Sequence, residues 1–396
     1  MRVLYLTRCY SWHDQRFLHG IAMLGHEVAL VSLRPSAAEQ KRIGVPAGVV
    51  CLEALEEFGA ISERAVVALR LRMNSFQPQI VHAGPLTDCA YLAIMAGTAP
   101  VVACSWAFDV LWEAAQDEVA ATRAIAALRQ CAGLLVDCAT VGQRCQELSG
   151  RNFTQIAIFP WGVDSKTETS PSVRTLRRAE LGWNEAVMVL SARNFEPLYD
   201  VGVLIRGFAL AHQQDPRLRL VLLGDGSHRS ALTALVDSLL LTEMVHFAGA
   251  VARPEVGDWF DAADIYASCA RTDGSSVSLL EAMAHDLLPI ASDLPSNREW
   301  IAPNLTGWLA ACGDAQHFAS ALLEAASVAP GEKDRIIATN HRTIRERANW
   351  PDNLKRLQAL YEDVAGQRGK SGVMAGRLQT KPGWVNPATL DSHHAR

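Results

Sequence analysis

The chain has 396 residues, 49% of them hydrophobic and 20% charged, and its 37 Lys+Arg against 42 Asp+Glu give a formal net charge of -5. That length favours two domains at roughly 150 residues each, and the composition excludes collagen, wholesale disorder and a disulfide-stapled miniprotein. The negative balance excludes bulk attraction to nucleic acid or anionic lipid as the main business, so no nucleic-acid partner is expected.

In chain order, Met1–Thr7 has one positive charge and a short apolar run with no small-residue cleavage site, which reads as a first strand, Val3–Leu6, and not as a signal peptide. Continuous apolar runs recur at Val28–Leu33, Ile80–Ala83, Val101–Cys104 and Leu134–Val136, each followed by a longer amphipathic or loop segment. Within that half, Glu63–Arg72 carries three Arg but no aromatic anchor, so an ordinary surface helix is expected and membrane association is not. A polar stretch, Ser165–Ser172, precedes a second series at Val187–Ser191, Leu218–Leu223, Val245–Phe247, Ile265–Ala267 and Leu288–Ser292. Continuous rather than alternating apolar strands imply parallel sheets covered on both faces by helices.

The expected fold class is therefore α/β: a doubly wound, Rossmann-like parallel-sheet domain over 1–165, a second over 166–345, and a last helix within 346–365 packing back towards the first. Residues 366–396 have Gly, Pro and polar residues with little apolar periodicity and are expected to be disordered. Nine scattered Cys with no C-x-x-C pair read as free thiols of a reducing compartment, and no run of about 18 uncharged apolar residues occurs, so a cytoplasmic location is expected.

Doubly wound sheets bind ligands outside the carboxyl ends of their strands. The most informative such segment is Asp273-Gly274-Ser275-Ser276-Val277-Ser278-Leu279-Leu280-Glu281-Ala282-Met283-Ala284, directly after the predicted strand Ile265–Ala267. Gly274-Ser275-Ser276 is a turn running into an N-cap, and free N–H groups at the start of the following helix suit a diphosphate. Spacing alone leaves two readings open: two acids serving one ligand, or an Asp in a turn and a Glu on a solvated helix face.

This segment resembles the donor motif E-G-F-G-x-x-x-x-E-A-M-A of the retaining GT-B glycosyltransferases of family 4 (glycosyl transferases group 1), with Asp273 in place of the first Glu. Ser292-Asp293 followed by Glu299 is similar to the next strand end of that family, and Ser191-Ala192-Arg193 to its first donor-domain loop. The resemblance implies GT-B architecture, two Rossmann-like domains facing a cleft, and transfer of a sugar from a UDP- or GDP-linked donor with retention of configuration. It implies that Glu281 binds the ribose hydroxyls, Asp273 contacts the transferred sugar and Arg193 grips the diphosphate. It also implies donor contacts by Gly224 and Gly226 after Leu218–Leu223, by Val251, and by Gly274, Ser275, Ser276 and Val277 at the helix start; Arg271 or another Arg is the candidate for a further cation.

The family commonly has a Lys six residues after that Arg, where this chain has Tyr199, and the chain has only six Lys in all. That shortage argues against the pyridoxal-phosphate phosphorylases of the same architecture. In the N-terminal half, His13 and Asp14 are candidates for acceptor binding or proton removal, against a capping Asp and a half-exposed His. His82, Trp106 and Asp109 follow or lie on strands and are acceptor-side candidates, His82 with a structural role as the alternative. The implied partners are a nucleotide-sugar donor and a small-molecule or glycan acceptor, with a soluble acceptor favoured. No cofactor and no metal are expected, since no Asp-x-Asp motif is present. The rival functions on this fold are a nucleotide-sugar epimerase or hydrolase and a non-catalytic sugar-nucleotide-binding protein.

Overall fold

The computed structural model describes residues 1–55, 61–163 and 171–366; the tail expected to be disordered and most of the polar stretch before the second series lie outside the described residues. The first sheet contains β1 (Arg2–Thr7), β2 (Glu27–Ser32), β3 (Val49–Cys51), β4 (Ile80–Gly84), β5 (Val101–Cys104), β6 (Gly133–Val136) and β7 (Ile156–Ile158) in the order β3-β2-β1-β4-β5-β6-β7. The second contains β8 (Val187–Ala192), β9 (Leu218–Leu223), β10 (Val245–Gly249), β11 (Ile265–Ser268), β12 (Leu288–Ser292) and β13 (Trp308–Ala310) in the order β10-β9-β8-β11-β12-β13. All pairings between these strands are parallel.

The expected GT-B class holds: two doubly wound sheets with helices on both faces. Ten strands coincide with the apolar runs. The other three, β3, β7 and β13, have three residues each and lie at sheet edges, where strands this short carry no periodicity to read.

In each sheet the strand order reverses between the first strand and the fourth, at β1/β4 and at β8/β11, and the loops leaving those strands define the crevice of the domain. The helix Trp350–Gly366 crosses back to the first sheet and buries Trp350, Leu357, Leu360, Tyr361 and Val364 in one apolar cluster with Val3, Tyr5, Phe17 and Leu135. Gly20 and Gly133 let it approach: a Cβ on Gly20 would stand 2.5 Å from Leu354 Cδ2, and one on Gly133 2.8 Å from Val364 Cγ2.

The helix Glu63–Phe76 buries Ala65, Ala68, Leu69 and Met73, and its Arg70 and Arg72 donate to the carbonyls of Ala96 and Glu53 at 3.0 and 2.8 Å. No helix among the described residues is long and apolar enough to cross a membrane.

Candidate active site

Arg193 leaves the carboxyl end of β8, and the loop after β11 brings Asp273 against it with an Arg193 Nη2 to Asp273 Oδ2 distance of 2.8 Å. Arg193 Nη1 donates to Ser276 Oγ and, at 3.3 Å, to Ser278 Oγ, while the guanidinium carbon lies 4.1 Å from the centre of the Tyr199 ring. Burial would favour a neutral guanidine, but the Asp273 charge together with Tyr199 and Tyr266 outweighs it and holds the Arg193 pKa above its ordinary value. Its Nε is buried and has no partner, so one donor of the planar cation is unused.

The glycine turn after β9 makes this geometry possible. Gly224 has φ +135°, and a Cβ there would stand 2.4 Å from the Arg193 carbonyl oxygen.

Ser276 is the N-cap of the helix Val277–Ala284, its Oγ accepting from the Leu279 N–H at 3.4 Å. One turn in, Glu281 is nearly buried and forms an ion pair with Arg253, at the start of the helix Arg253–Ala262. The cleft around these groups has two adjoining compartments of about 400 and 310 Å³. His13, Arg193, Asn194, Arg253, Val277 and Glu281 line both; Gly224 and Val251 line the first, and Trp106, Tyr199, Asp273 and Ser275 line the second.

The two domains clasp each other beside this cleft through a reciprocal pair of carboxylates. Asp137, the first residue after β6, accepts the Ser275 N–H at 2.9 Å, and its backbone carbonyl accepts the Ser275 hydroxyl at 2.9 Å. In return Glu299, from the second domain, caps the helix Ala139–Ser149 by accepting the N–H groups of Ala139 and Thr140 at 3.1 and 2.9 Å. Burial, reinforced by the Asp273 charge, pushes the Asp137 carboxyl up to about 7, and burial also raises Asp273 against the pull of Arg193. The Asp273 charge disfavours ionisation of Asp137, while Arg193 favours the charged form of Asp273.

The remaining expected residues divide. His13 lies in the cleft with its ring centroid 5.8 Å from that of Trp106; burial, then the charges of Arg253 and Arg16, lower its pKa to about 4, so the imidazole is neutral at pH 7. Asp14 does not line the cleft. It completes a capping box with Ser11, accepts the Tyr5 hydroxyl at 2.9 Å, and is raised by burial to about 6.

His82 and Asp109 are also structural. His82 is buried within β4, stacked on Tyr5 at 4.9 Å and hydrogen-bonded through Nδ1 to the Tyr361 hydroxyl at 2.7 Å. Asp109 is buried accepting the Leu86 N–H and the Ser105 hydroxyl, both at 2.7 Å.

Three donor-side expectations are placed away from the two compartments. Arg271 pairs with Asp200 at 2.9 Å and lines a separate cavity of about 590 Å³ with Trp112, Arg206 and His228, because its loop turns towards the Pro197–Val201 segment. Gly226 packs under Phe195 and Glu196, where a Cβ would stand 2.7 Å from the Phe195 carbonyl, outside both compartments. Gly274 lies instead at the clasp, and a Cβ there would stand 2.0 Å from Asp137 Oδ2. Cleft-lining residues that the sequence did not assign to the site are Asp137, Arg253 and Ser278. Asp137 alone had a usable signal, its place directly after an apolar strand.

Residues 2–136 match the family model described as Glycosyl transferase 4-like, and residues 173–343 match the one described as Glycosyl transferases group 1. Each half thus matches a glycosyltransferase family model, and the two sheets have the GT-B arrangement. The D-inositol 3-phosphate glycosyltransferase of Kineococcus radiotolerans is 33% identical over 148 residues, 35% of this chain and 34% of the relative. The protein of the same name from Pseudarthrobacter chlorophenolicus is 28% identical over 253 residues, 62% of this chain and 51% of the relative. This GT-B chain thus aligns with about half, or less, of the length of these curated relatives. Among solved structures, Anabaena HepE in complex with UDP-glucose superimposes with a TM-score of 0.77 at 16% identity, covering 92% of this chain and all of HepE, a likeness of fold.

Proposed function

We propose that this chain is a retaining glycosyltransferase that moves a sugar from a UDP- or GDP-linked donor to a small polar acceptor. The observation that carries the reading is the convergence of Arg193, Asp273, Ser276 and Glu281 on one interdomain cleft, at the switch point of the second sheet. In this reading Glu281 takes the ribose hydroxyls and Val251 lies near the base. Arg193 and the N–H groups at the start of the helix Val277–Ala284 hold the diphosphate and stabilise the charge that develops on it as the glycosidic bond breaks. Asp273 takes hydroxyls of the transferred sugar. His13 and Trp106 face the cleft from the other domain and form the acceptor side, where a neutral imidazole accepts a hydrogen bond from an incoming hydroxyl.

HepE was solved with UDP-glucose, and the curated relatives are named for D-inositol 3-phosphate, so these are the first donor and acceptor to test. Incubation of purified protein with UDP- and GDP-sugars and a panel of polyol, polyol-phosphate and sugar acceptors, followed by NMR of the anomeric proton, is the test. A glycoside that keeps the donor's configuration supports the reading. Hydrolysis or epimerisation independent of acceptor, or binding without turnover across the panel, overturns it.

A further inference from the structure

We propose that Arg253 is the second cation on the donor's diphosphate, and that its ion pair with Glu281 is exchanged on binding, Arg253 moving to phosphate as Glu281 turns to the ribose. The inference rests on the nucleotide-sugar reading above and identifies how this cleft neutralises a diphosphate without a lysine at position 199.

The argument begins with charge. A diphosphate carries more negative charge than one arginine offsets, and Arg193 is already balanced by Asp273 at 2.8 Å. Position 199 holds a tyrosine whose ring covers the Arg193 guanidinium at 4.1 Å, so the site where a lysine would add charge instead supplies a cation–π contact. Arg271 is held by Asp200 at 2.9 Å in a different cavity.

Three further arginines line the cleft: Arg16, Arg42 and Arg253. Arg16 donates to the Gly162 carbonyl at 2.6 Å and lies over the Trp350 ring at 5.5 Å, a structural commitment at the domain junction. Arg42 is exposed and lines only the first compartment. Arg253 lines both compartments, as Arg193 does, and its charge reaches His13 on the opposite wall, where it helps depress the imidazole pKa. Its position directs positive charge into the cleft.

Its present partner explains the exchange. Glu281 is nearly buried and paired with Arg253 through Oε1, so a ribose that uses both carboxylate oxygens competes with the guanidinium for that oxygen. A diphosphate arriving on the same ligand offers that planar, multi-donor guanidinium several acceptor oxygens of higher charge. The ion pair therefore competes with a nucleoside but is compensated for a nucleoside diphosphate, which favours ligands carrying phosphate.

The test is binding of UDP, GDP, uridine and guanosine to the full chain and to R253A and R253K, by calorimetry and by NMR titration for the nucleosides, with thermal melting of each variant as a fold check. The proposal expects R253A to lose roughly ten- to hundredfold in affinity for whichever nucleoside diphosphate binds, while affinity for the corresponding nucleoside rises because Glu281 is released. R253K should recover part of the diphosphate affinity. The opposite signs are diagnostic, since a merely structural arginine would lower both. If wild-type protein binds UDP or GDP and R253A binds it equally well, or loses nucleoside in parallel, the proposal is overturned alone. If wild-type protein binds no nucleoside diphosphate, the donor reading falls and this proposal with it.

Discussion

The backbone N–H of Ser275 donates to Asp137 Oδ2 across 2.9 Å, joining the donor loop of the second domain to the end of β6 in the first. Asp137 is buried and its pKa is raised to about 7, first by desolvation and then by Asp273. A carboxyl whose folded pKa is raised contributes stability that is fully present below its unfolded value, near 4, and is lost as pH climbs through 7. Asp137→Asn keeps an acceptor for Ser275 but cannot ionise. Measured by denaturant melts, the stability of Asp137→Asn relative to wild type should therefore improve between pH 4 and 7, with a limiting slope of about 1.4 kcal/mol per pH unit, and level off above. A difference independent of pH would show that Asp137 ionises freely.

Gly274 has no room for a side chain at that clasp, since its added Cβ would stand 2.0 Å from Asp137 Oδ2 and 2.7 Å from Ala107 Cβ. Gly274→Ala should cost about 1–3 kcal/mol, the usual range for forced overpacking. Adding Asp137→Ala removes the nearer obstacle, and the double variant should be more stable than the sum of the two losses predicts. Additive losses in melting experiments would place the strain elsewhere.

The clasp also shows where sequence reading succeeds and stops. Buried parallel strands are continuous apolar runs, so ten of the strands and the capped helix Val277–Ala284 were legible from pattern. Ser11 and Asp14 already spelled a capping pattern, and the structure decides for the cap. His82 sits inside β4, so its side chain points into the layer beneath the last helix, not into the cleft at the strand's end. The Arg253–Glu281 and Asp137–Ser275 contacts join segments 28 and 138 residues apart, and no local pattern encodes such meetings.

Arg193 offers a sharp test of the diphosphate assignment. Arg193→Ala should weaken nucleoside diphosphate binding by about 1.5–3 kcal/mol, the worth of a charge-assisted hydrogen bond. Arg193→Lys should restore little, because a lysine cannot span Ser276, Ser278, Asp273 and phosphate from one planar group. Tyr199→Phe keeps the ring beneath the guanidinium and should leave diphosphate affinity unchanged. Unchanged calorimetric affinity in Arg193→Ala would remove this residue from the diphosphate.

The two acids have separable roles in the proposed reaction. Glu281, as the ribose ligand, interacts alike in ground and transition states, so Glu281→Ala should weaken free nucleotide and donor together, by about 2–4 kcal/mol if two charge-assisted hydrogen bonds are lost. The loss should be larger for a nucleoside than for a nucleoside diphosphate, because the variant also removes the carboxylate that pairs with Arg253. Asp273 would touch only the transferred sugar. Its present partner is Arg193, so Asp273→Ala releases that cation, and nucleoside diphosphate affinity should hold or increase. Turnover should fall, because a sugar no longer anchored loses contacts that count in the transition state. Asp273→Glu extends the carboxylate by one carbon–carbon bond, roughly 1.5 Å, and should shift the preference among donor sugars. Diphosphate affinity and donor turnover measured for all three variants decide the matter: a large loss of nucleotide binding in Asp273→Ala, or none in Glu281→Ala, reverses the assignment of the two carboxylates.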